Sequence, residues 1–342
     1  MVGRILVTKA ALERVGIIGG GAWGTALALT ARRAGRHVVL WAREAEVVAA
    51  VNRDHANPLF LPGIALDPAI RATSDLAAAA AADVLLLVAP AQHLRPLAAA
   101  LAPHMASDLP VLICTKGIEE QTGALMGEVV ASALPSSPIA VLSGPTFAAE
   151  VARGLPTAVT LACADKALGR RLITALGTRS FRPYLSEDVV GAEIGGAVKN
   201  VLAIACGIVM GRRLGDNARA ALITRGLAEI VRLALRKGGK AETLMGLSGL
   251  GDLVLTCTSL QSRNHSLGAA LGEGRALADV LAERRSVAEG VTSAAATAAL
   301  AKRLGVDMPI VSAVDAILHH GAAVDHAIEA LLARPFKSEA IA

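Results

Sequence analysis

Short apolar runs recur through the first half of the chain, each closed by glycine, proline or a polar residue. They are "RVGIIG", "HVVLW" (His37–Trp41), "DVLLLVAP" (Asp83–Pro90), "PVLICTKG" (Pro110–Gly117) and "IAVLSGP" (Ile139–Pro145). Such runs read as strands buried on both faces. Between the first of them, "TALALTARRAG" and "EAEVVAAVNRD" carry helical spacing, and Gly35 stops the first. "TAVTLAC" (Thr157–Cys163) and "FRPYLSED" (Phe181–Asp188) extend the sheet. Apolar strands alternating with helices predict an α/β domain with a mostly parallel, doubly wound sheet. After about Asp188 the strand signals fade. "VVGAEIGGAVKNVLAIACGIV", "NARAALITRGLAEIVRLALRKG", "ADVLAERR", "TSAAATAALAKRLG", "SAVDAILHHG" and "DHAIEALLARP" read as helices with glycine or proline stops. The pattern therefore predicts two domains, residues 14–187 and an all-α domain over residues 188–336.

The first strand runs into "GIIGGGAWGTALA", which contains Gly19-x-Gly21-x-x-Gly24 and opens a helix. In that setting the glycines have separate tasks. Gly19 makes the tight turn, Gly21 lets a pyrophosphate approach the backbone, and Gly24 lets helix and strand pack closely. The first domain is thus Rossmann-like, and a dinucleotide is the expected ligand. The end of the second strand should meet the adenosine ribose. Here "VVLWAREAE" places Arg43, with Glu44 beside it and no acid before it. An arginine at that point can pair with a 2′-phosphate, which favours NADP(H), while Glu44 leaves NAD(H) open.

In the second half, "IGGAVKNVLAIACGIV" (Ile194–Val209) holds one charged residue, Lys199, among small and apolar neighbours. Lysine is rarely buried without a partner or a task. Gly195 and Gly196 precede it by one turn, where they bring another backbone or a ligand close. A desolvated lysine loses pKa and can exchange a proton with a carbonyl or alcohol oxygen. A lysine reaching past apolar neighbours to water is the plainer reading of the helix alone. "MGLSGLGDLVLTCTSLQSRN" adds Asp252 after a glycine-rich turn, then Ser262, Arg263 and Asn264. An arginine fork between a hydroxyl and an amide suits a phosphomonoester; a polar loop capping a helix is the alternative. "TKGIE" and "SGPTFAAE" put Lys116, Ser143, Gly144 and Thr146 at strand ends, where open α/β sheets gather ligands.

Composition narrows the classes. With 342 residues the chain exceeds what a single core usually needs. Aromatics are only 2%, so packing relies on alanine and aliphatic side chains, and little remains for base stacking. The net charge of +5 comes without a Lys/Arg run, so nucleic acid is set aside and an anionic small ligand suits better. Cys114, Cys163, Cys206 and Cys257 form no CxxC and read as buried free thiols. The eight histidines form no HExxH or Cys/His cluster, so no metal is expected. The start of the chain lacks the long apolar core of a signal peptide. "LAAAAAADVLLLVAPAQHL" (Leu76–Leu94) carries Asp83 and Pro90, so no membrane span is expected and the cytoplasm is the expected location.

Together these residues resemble the NAD(P)-dependent glycerol-3-phosphate dehydrogenases of the bacterial type. The matching blocks run in order from Val15 to about Gly321: "GGGAWGTALA", "VVLWAR", "TKGIE", "SGPTFAAEVA", "GGAVKNVLAIA", "NARAALITRGLAE", "GLGDLVLTCTS", "QSRN" and "VAEG". The resemblance implies reversible reduction of dihydroxyacetone phosphate to sn-glycerol 3-phosphate, a phospholipid precursor, with NADP(H) or NAD(H) as cofactor. It implies Lys199 as general acid/base. Lys116, Gly144, Thr146, Lys199, Asp252, Ser262, Arg263 and Asn264 would line the substrate site. Gly19, Gly21, Ala22, Trp23, Gly24, Arg43, Lys116, Ala148, Arg263, Val287 and Glu289 would meet the cofactor. Many relatives have serine where this chain has Ala22, and "HSLG" follows "SRN" where relatives often carry a bulkier or basic pair. Relatives are often dimeric, so a homodimer is open. Two rivals remain. One is a two-domain NADPH reductase of the β-hydroxyacid or 6-phosphogluconate type, which typically repeats an asparagine where this chain has Ala203; here the asparagine is Asn200, beside the lysine. The other is a non-enzymatic NADPH sensor.

Overall fold

The computed structural model describes residues 11–283 and 288–336. Ten strands form in the first half: β1 (Arg14–Ile18), β2 (His37–Trp41), β3 (Ala56–Asn57), β4 (Leu61–Ala65), β5 (Arg71–Thr73), β6 (Val84–Leu87), β7 (Val111–Ile113), β8 (Ile139–Ser143), β9 (Thr157–Ala162) and β10 (Phe181–Ser186). Eight of them make one sheet in the order β10-β9-β8-β7-β6-β1-β2-β5. Neighbours are parallel except β8 and β9, so the sheet is mostly parallel, as the alternating pattern predicts.

The unbroken apolar runs have a simple cause. Leu86, Leu112, Ala140 and Leu142 enter one core, which includes the helices Ala22–Arg33 and Lys166–Leu176. Their neighbours Leu85, Leu87, Val111, Ile113 and Val141 enter a second core on the other face, with Leu94–Leu101 and Met126–Ala133. Because side chains alternate along a strand, a strand covered on both faces must be apolar at every position.

The antiparallel hairpin β3–β4 and the edge strand β5 do not follow from the apolar pattern. They are two, five and three residues long, and β4, "LPGIA", contains proline and glycine. Pairing with neighbours, rather than their own periodicity, makes them strands.

Among the described residues no strand follows Ser186. The helix Val189–Gly211 takes over and forms the centre of a third core. Asp188 caps it: Oδ1 accepts from Gly191 N and Oδ2 from Lys240 N, both at 2.8 Å. Helix Arg263–Gly272 packs against it nearly backbone to backbone, since a methyl on Gly207 or Gly268 would overlap a carbonyl of the opposite helix. That approach fixes where Arg263 and Asn264 stand relative to Lys199. Among the described residues Val189–Gly211 is long and apolar enough by itself to cross a membrane, but 89% of its apolar window is buried within the protein; Ala241–Thr258 and Arg263–Gly272, bent by 47°, reach that length and apolarity only as a pair. All four cysteines are free and buried.

The chain order of the strands reverses between β1 and β6, and ligands of open α/β sheets bind at such a switch point, beyond the carboxyl ends of the strands. The glycine loop follows β1, Arg43 follows β2, Lys116 follows β7 and Gly144 follows β8. All open toward the same edge.

Candidate active site

Gly19 leaves β1 with φ +134°, in the region that favours glycine, and a Cβ there would lie 2.8 Å from the Val88 carbonyl at the end of β6. A methyl on Gly24 would overlap the Gly19 carbonyl. Gly21 caps the helix Ala22–Arg33, and a Cβ built on it meets nothing within 4 Å. Free N–H groups at a helix N-terminus thus face open space, with no acid in the first turn. The Trp23 indole N–H is buried and, among the described residues, has no partner. An open cradle of backbone donors with an orphaned donor beside it fits a dinucleotide. Asn57 braces the loop, its Nδ2 donating to Gly20 O and Thr25 Oγ1 at 2.8 Å each.

In the helical half, Lys199 is only 6% exposed and Asp252 is fully buried. Lys199 Nζ donates to Asp252 Oδ1, and to Thr256 Oγ1 at 3.1 Å. Lys116 comes from the sheet half, and its Nζ donates to Asp252 Oδ2 at 2.7 Å and to Gly144 O at 3.1 Å. One carboxylate therefore holds two ammonium groups from opposite halves of the fold. Burial lowers the Lys199 pKa to about 8, against the pull of Asp252 and with help from the neighbouring Lys116 charge.

The residues around Lys199 explain its helix. A methyl on Gly195 would overlap Ser248 O, and one on Gly196 would lie 2.7 Å from Ser143 Oγ and 3.4 Å from Lys116 Cγ. The glycine-rich segment before Asp252 is one π-helical turn, Leu247–Gly251, running directly into Asp252–Thr258. This wider turn sets the carboxylate against the central helix; the sequence suggests only a loose turn there.

Ser262 caps helix Arg263–Gly272, its Oγ accepting from His265 N at 3.2 Å. Arg263 is exposed at the first helical position. Glu289 is half-buried, and burial pushes its carboxyl up, opposed by Arg263, Lys116 and Lys199 nearby. Asn264 Oδ1 accepts from Gly290 N at 2.9 Å. A Cβ on Gly290 would lie 2.7 Å from Asn264 Oδ1 and 2.8 Å from Asn200 O. Gly290→Ala is therefore expected to cost about 1–3 kcal/mol through overpacking. Thermal unfolding checks this; an unchanged Tm would contradict the contact.

Thr146 Oγ1 donates to Gly144 O at 3.2 Å, and Ala148 opens the helix Ala148–Ala152 beside the glycine-loop helix. Ala22 is the first residue of that helix. Val287 and residues 1–10 of the N-terminal extension lie outside the described residues. Sequence reasoning passes over Thr256 and Asn57. Thr256 stands four residues after Asp252, on the same helical face, which is the signal that could have found it. Asn57 sits in the irregular hairpin and offers no such pattern.

A dinucleotide cradle at a switch point, at the same sheet edge as a clamp that holds a buried ammonium group of lowered pKa, defines a two-domain NAD(P)-dependent oxidoreductase. The family models for the N-terminus and C-terminus of NAD-dependent glycerol-3-phosphate dehydrogenase match residues 14–169 and 188–329. The chain belongs to the NAD-dependent glycerol-3-phosphate dehydrogenase family. It is 62% identical over 329 residues to glycerol-3-phosphate dehydrogenase (NAD(P)+) of Rhodospirillum rubrum, covering 96% of this chain and 94% of the relative. The relative of the same name from Caulobacter vibrioides is 60% identical, covering 96% and 99%. A crystal structure of glycerol-3-phosphate dehydrogenase from Coxiella burnetii superposes with a TM-score of 0.91 at 41% identity, covering 94% of this chain and 99% of that one. These matches do not favour the β-hydroxyacid-type reductase or the sensor.

Proposed function

We propose that this protein reversibly reduces dihydroxyacetone phosphate to sn-glycerol 3-phosphate, with residues 14–187 binding NAD(P)H and residues 188–336 supplying most of the substrate site. The observation that carries the reading is the clamp of Lys116 and Lys199 on buried Asp252, at the sheet edge where the glycine loop also lies. In this reading Gly19, Gly21, Gly24, Trp23, Arg43, Ala148 and Glu289 hold the dinucleotide. When bound, the reduced nicotinamide supplies a hydride to the carbonyl carbon of the substrate.

Lys199 holds the proton that the carbonyl oxygen needs. Asp252 and Thr256 take two of its three N–H bonds, leaving one to point at substrate. As charge grows on the oxygen, that ammonium stabilises it and gives up the proton. Asp252 takes one lysine on each oxygen, and in this reading it orients both. Arg263 and Asn264 grip the phosphate and so aim the carbonyl. In glycerol phosphate oxidation the neutral Lys199 amine takes the proton back.

Following NADPH absorbance with dihydroxyacetone phosphate, and against NADH and neutral dihydroxyacetone, tests the reading. Turnover should require the phosphate. Arg263→Ala should raise KM for the phosphorylated ketone about 10–100-fold, the loss of a charge-assisted bidentate contact, and barely alter the neutral one. Equal losses with both ketones would overturn the phosphate assignment. The reading further includes a cytoplasmic enzyme that feeds phospholipid synthesis. It also includes a homodimer, supported by exposed apolar side chains such as Met245, Leu250, Val254 and Leu260.

A further inference from the structure

Past the end of β2 stand two adjacent residues of opposite charge. The Arg43 guanidinium gives both Nε and Nη2 to Glu44 Oε1, at 3.1 and 2.8 Å. The Arg43 side chain is 77% exposed and that of Glu44 26%. The Glu44 backbone is fixed as the N-cap of helix Ala45–Asp54, its carbonyl accepting from Val47 N at 3.0 Å and Val48 N at 3.2 Å. Its side chain takes no part in that cap. Among the described residues neither side chain has another hydrogen-bond partner. At the far end of that helix Arg53 donates to Asp54. Ala42, just before the pair, packs against Gly20 of the glycine loop. The pair therefore stands where the adenosine ribose of a bound dinucleotide comes to rest.

The two nicotinamide cofactors make opposite demands at this point. A 2′-phosphate needs the guanidinium fork and is repelled by a carboxylate. A 2′-hydroxyl is a donor, and a carboxylate is the acceptor it seeks. We propose that Glu44 is a specificity-determining residue, competing with the 2′-phosphate of NADPH for Arg43 and accepting the 2′-hydroxyl of NADH. One ion pair then serves both cofactors. With the 2′-phosphate bound, Arg43 swings from Glu44 to the ligand; with NADH bound, Arg43 stays on Oε1 and Oε2 meets the ribose. The proposal rests on the cofactor reading above but not on which ketone is reduced.

Calorimetry on the full-length protein tests it, with adenosine 2′,5′-bisphosphate and 5′-AMP as probes, followed by NADPH and NADH by fluorescence. Glu44→Gln keeps the shape and removes the charge. It is expected to bind the 2′-phosphorylated ligands about 3–5-fold more tightly and NADH about 3–5-fold more weakly, the scale of an exposed charge pair. Arg43→Gln should lose affinity for the 2′-phosphorylated ligands and hold NADH within about twofold, and both effects should shrink as salt rises. If Glu44→Gln changes neither affinity, or shifts both ligand types in the same direction at an unchanged unfolding temperature, the selector role is wrong. A wild-type protein that binds no adenine nucleotide would overturn the cofactor reading along with it.

Discussion

Lys199→Ala is expected to lower kcat for ketone reduction by about 10²–10⁴-fold, the range for loss of a positioned general acid. NADPH affinity should stay close to that of the wild type, because none of the glycine-loop contacts involves this side chain. Lys199→Arg should not restore turnover, since guanidinium holds its proton at any working pH. The pH profile gives a second readout. The group donates only while protonated, and its pKa is lowered to about 8. Wild-type reduction should therefore fall as pH rises through about 8, whereas glycerol phosphate oxidation, which needs the neutral amine, should rise through the same point. The residual activity of Lys199→Ala should lose this inflection. Near-normal turnover in Lys199→Ala would remove the residue from the chemistry.

How far the sequence reveals this site depends on how local each cause is. β6 is legible because all four of its residues are buried, so nothing polar interrupts the run. The glycine loop is legible because its turn, its cradle and its helix packing are all set within a few residues. Lys199 stands out because a lone cation in an apolar helix has a cost that something must offset. Its partners are another matter. Lys116 and Asp252 are separated by 136 positions, and no periodicity reports that one carboxylate clamps two lysines from different halves of the fold. The π-helical turn that aims Asp252 is invisible for a similar reason: its five residues read as a glycine-rich loop. Arg43 and Glu44 are adjacent in the chain, yet adjacency alone does not show that the guanidinium is already engaged.

Asp252→Asn tests whether the clamp sets the proton chemistry or merely lines the cavity. The substitution keeps the shape and removes the negative charge, leaving two ammonium groups together around a fully buried amide. Breaking a buried pair in this way typically costs about 3–5 kcal/mol. The charge that raises the Lys199 pKa against burial would be gone while the neighbouring Lys116 still lowers it, so the pKa should drop below its present value of about 8. The pH limit of ketone reduction should move to lower pH, and kcat at neutral pH should fall because less Lys199 carries a proton. The stability loss should depend on pH with a fixed sign. A lysine whose folded pKa is depressed releases its proton on folding, so the variant should be least stable in acid and recover as pH rises and Lys199 becomes neutral. Thermal unfolding across this range, set beside the pH–rate profile, separates the alternatives. Lost activity with the inflection still at its wild-type position would mean that Asp252 acts on the substrate and not through the lysine. A shifted inflection, with the deficit in Tm shrinking toward alkaline pH, would mean that its charge holds the proton on Lys199.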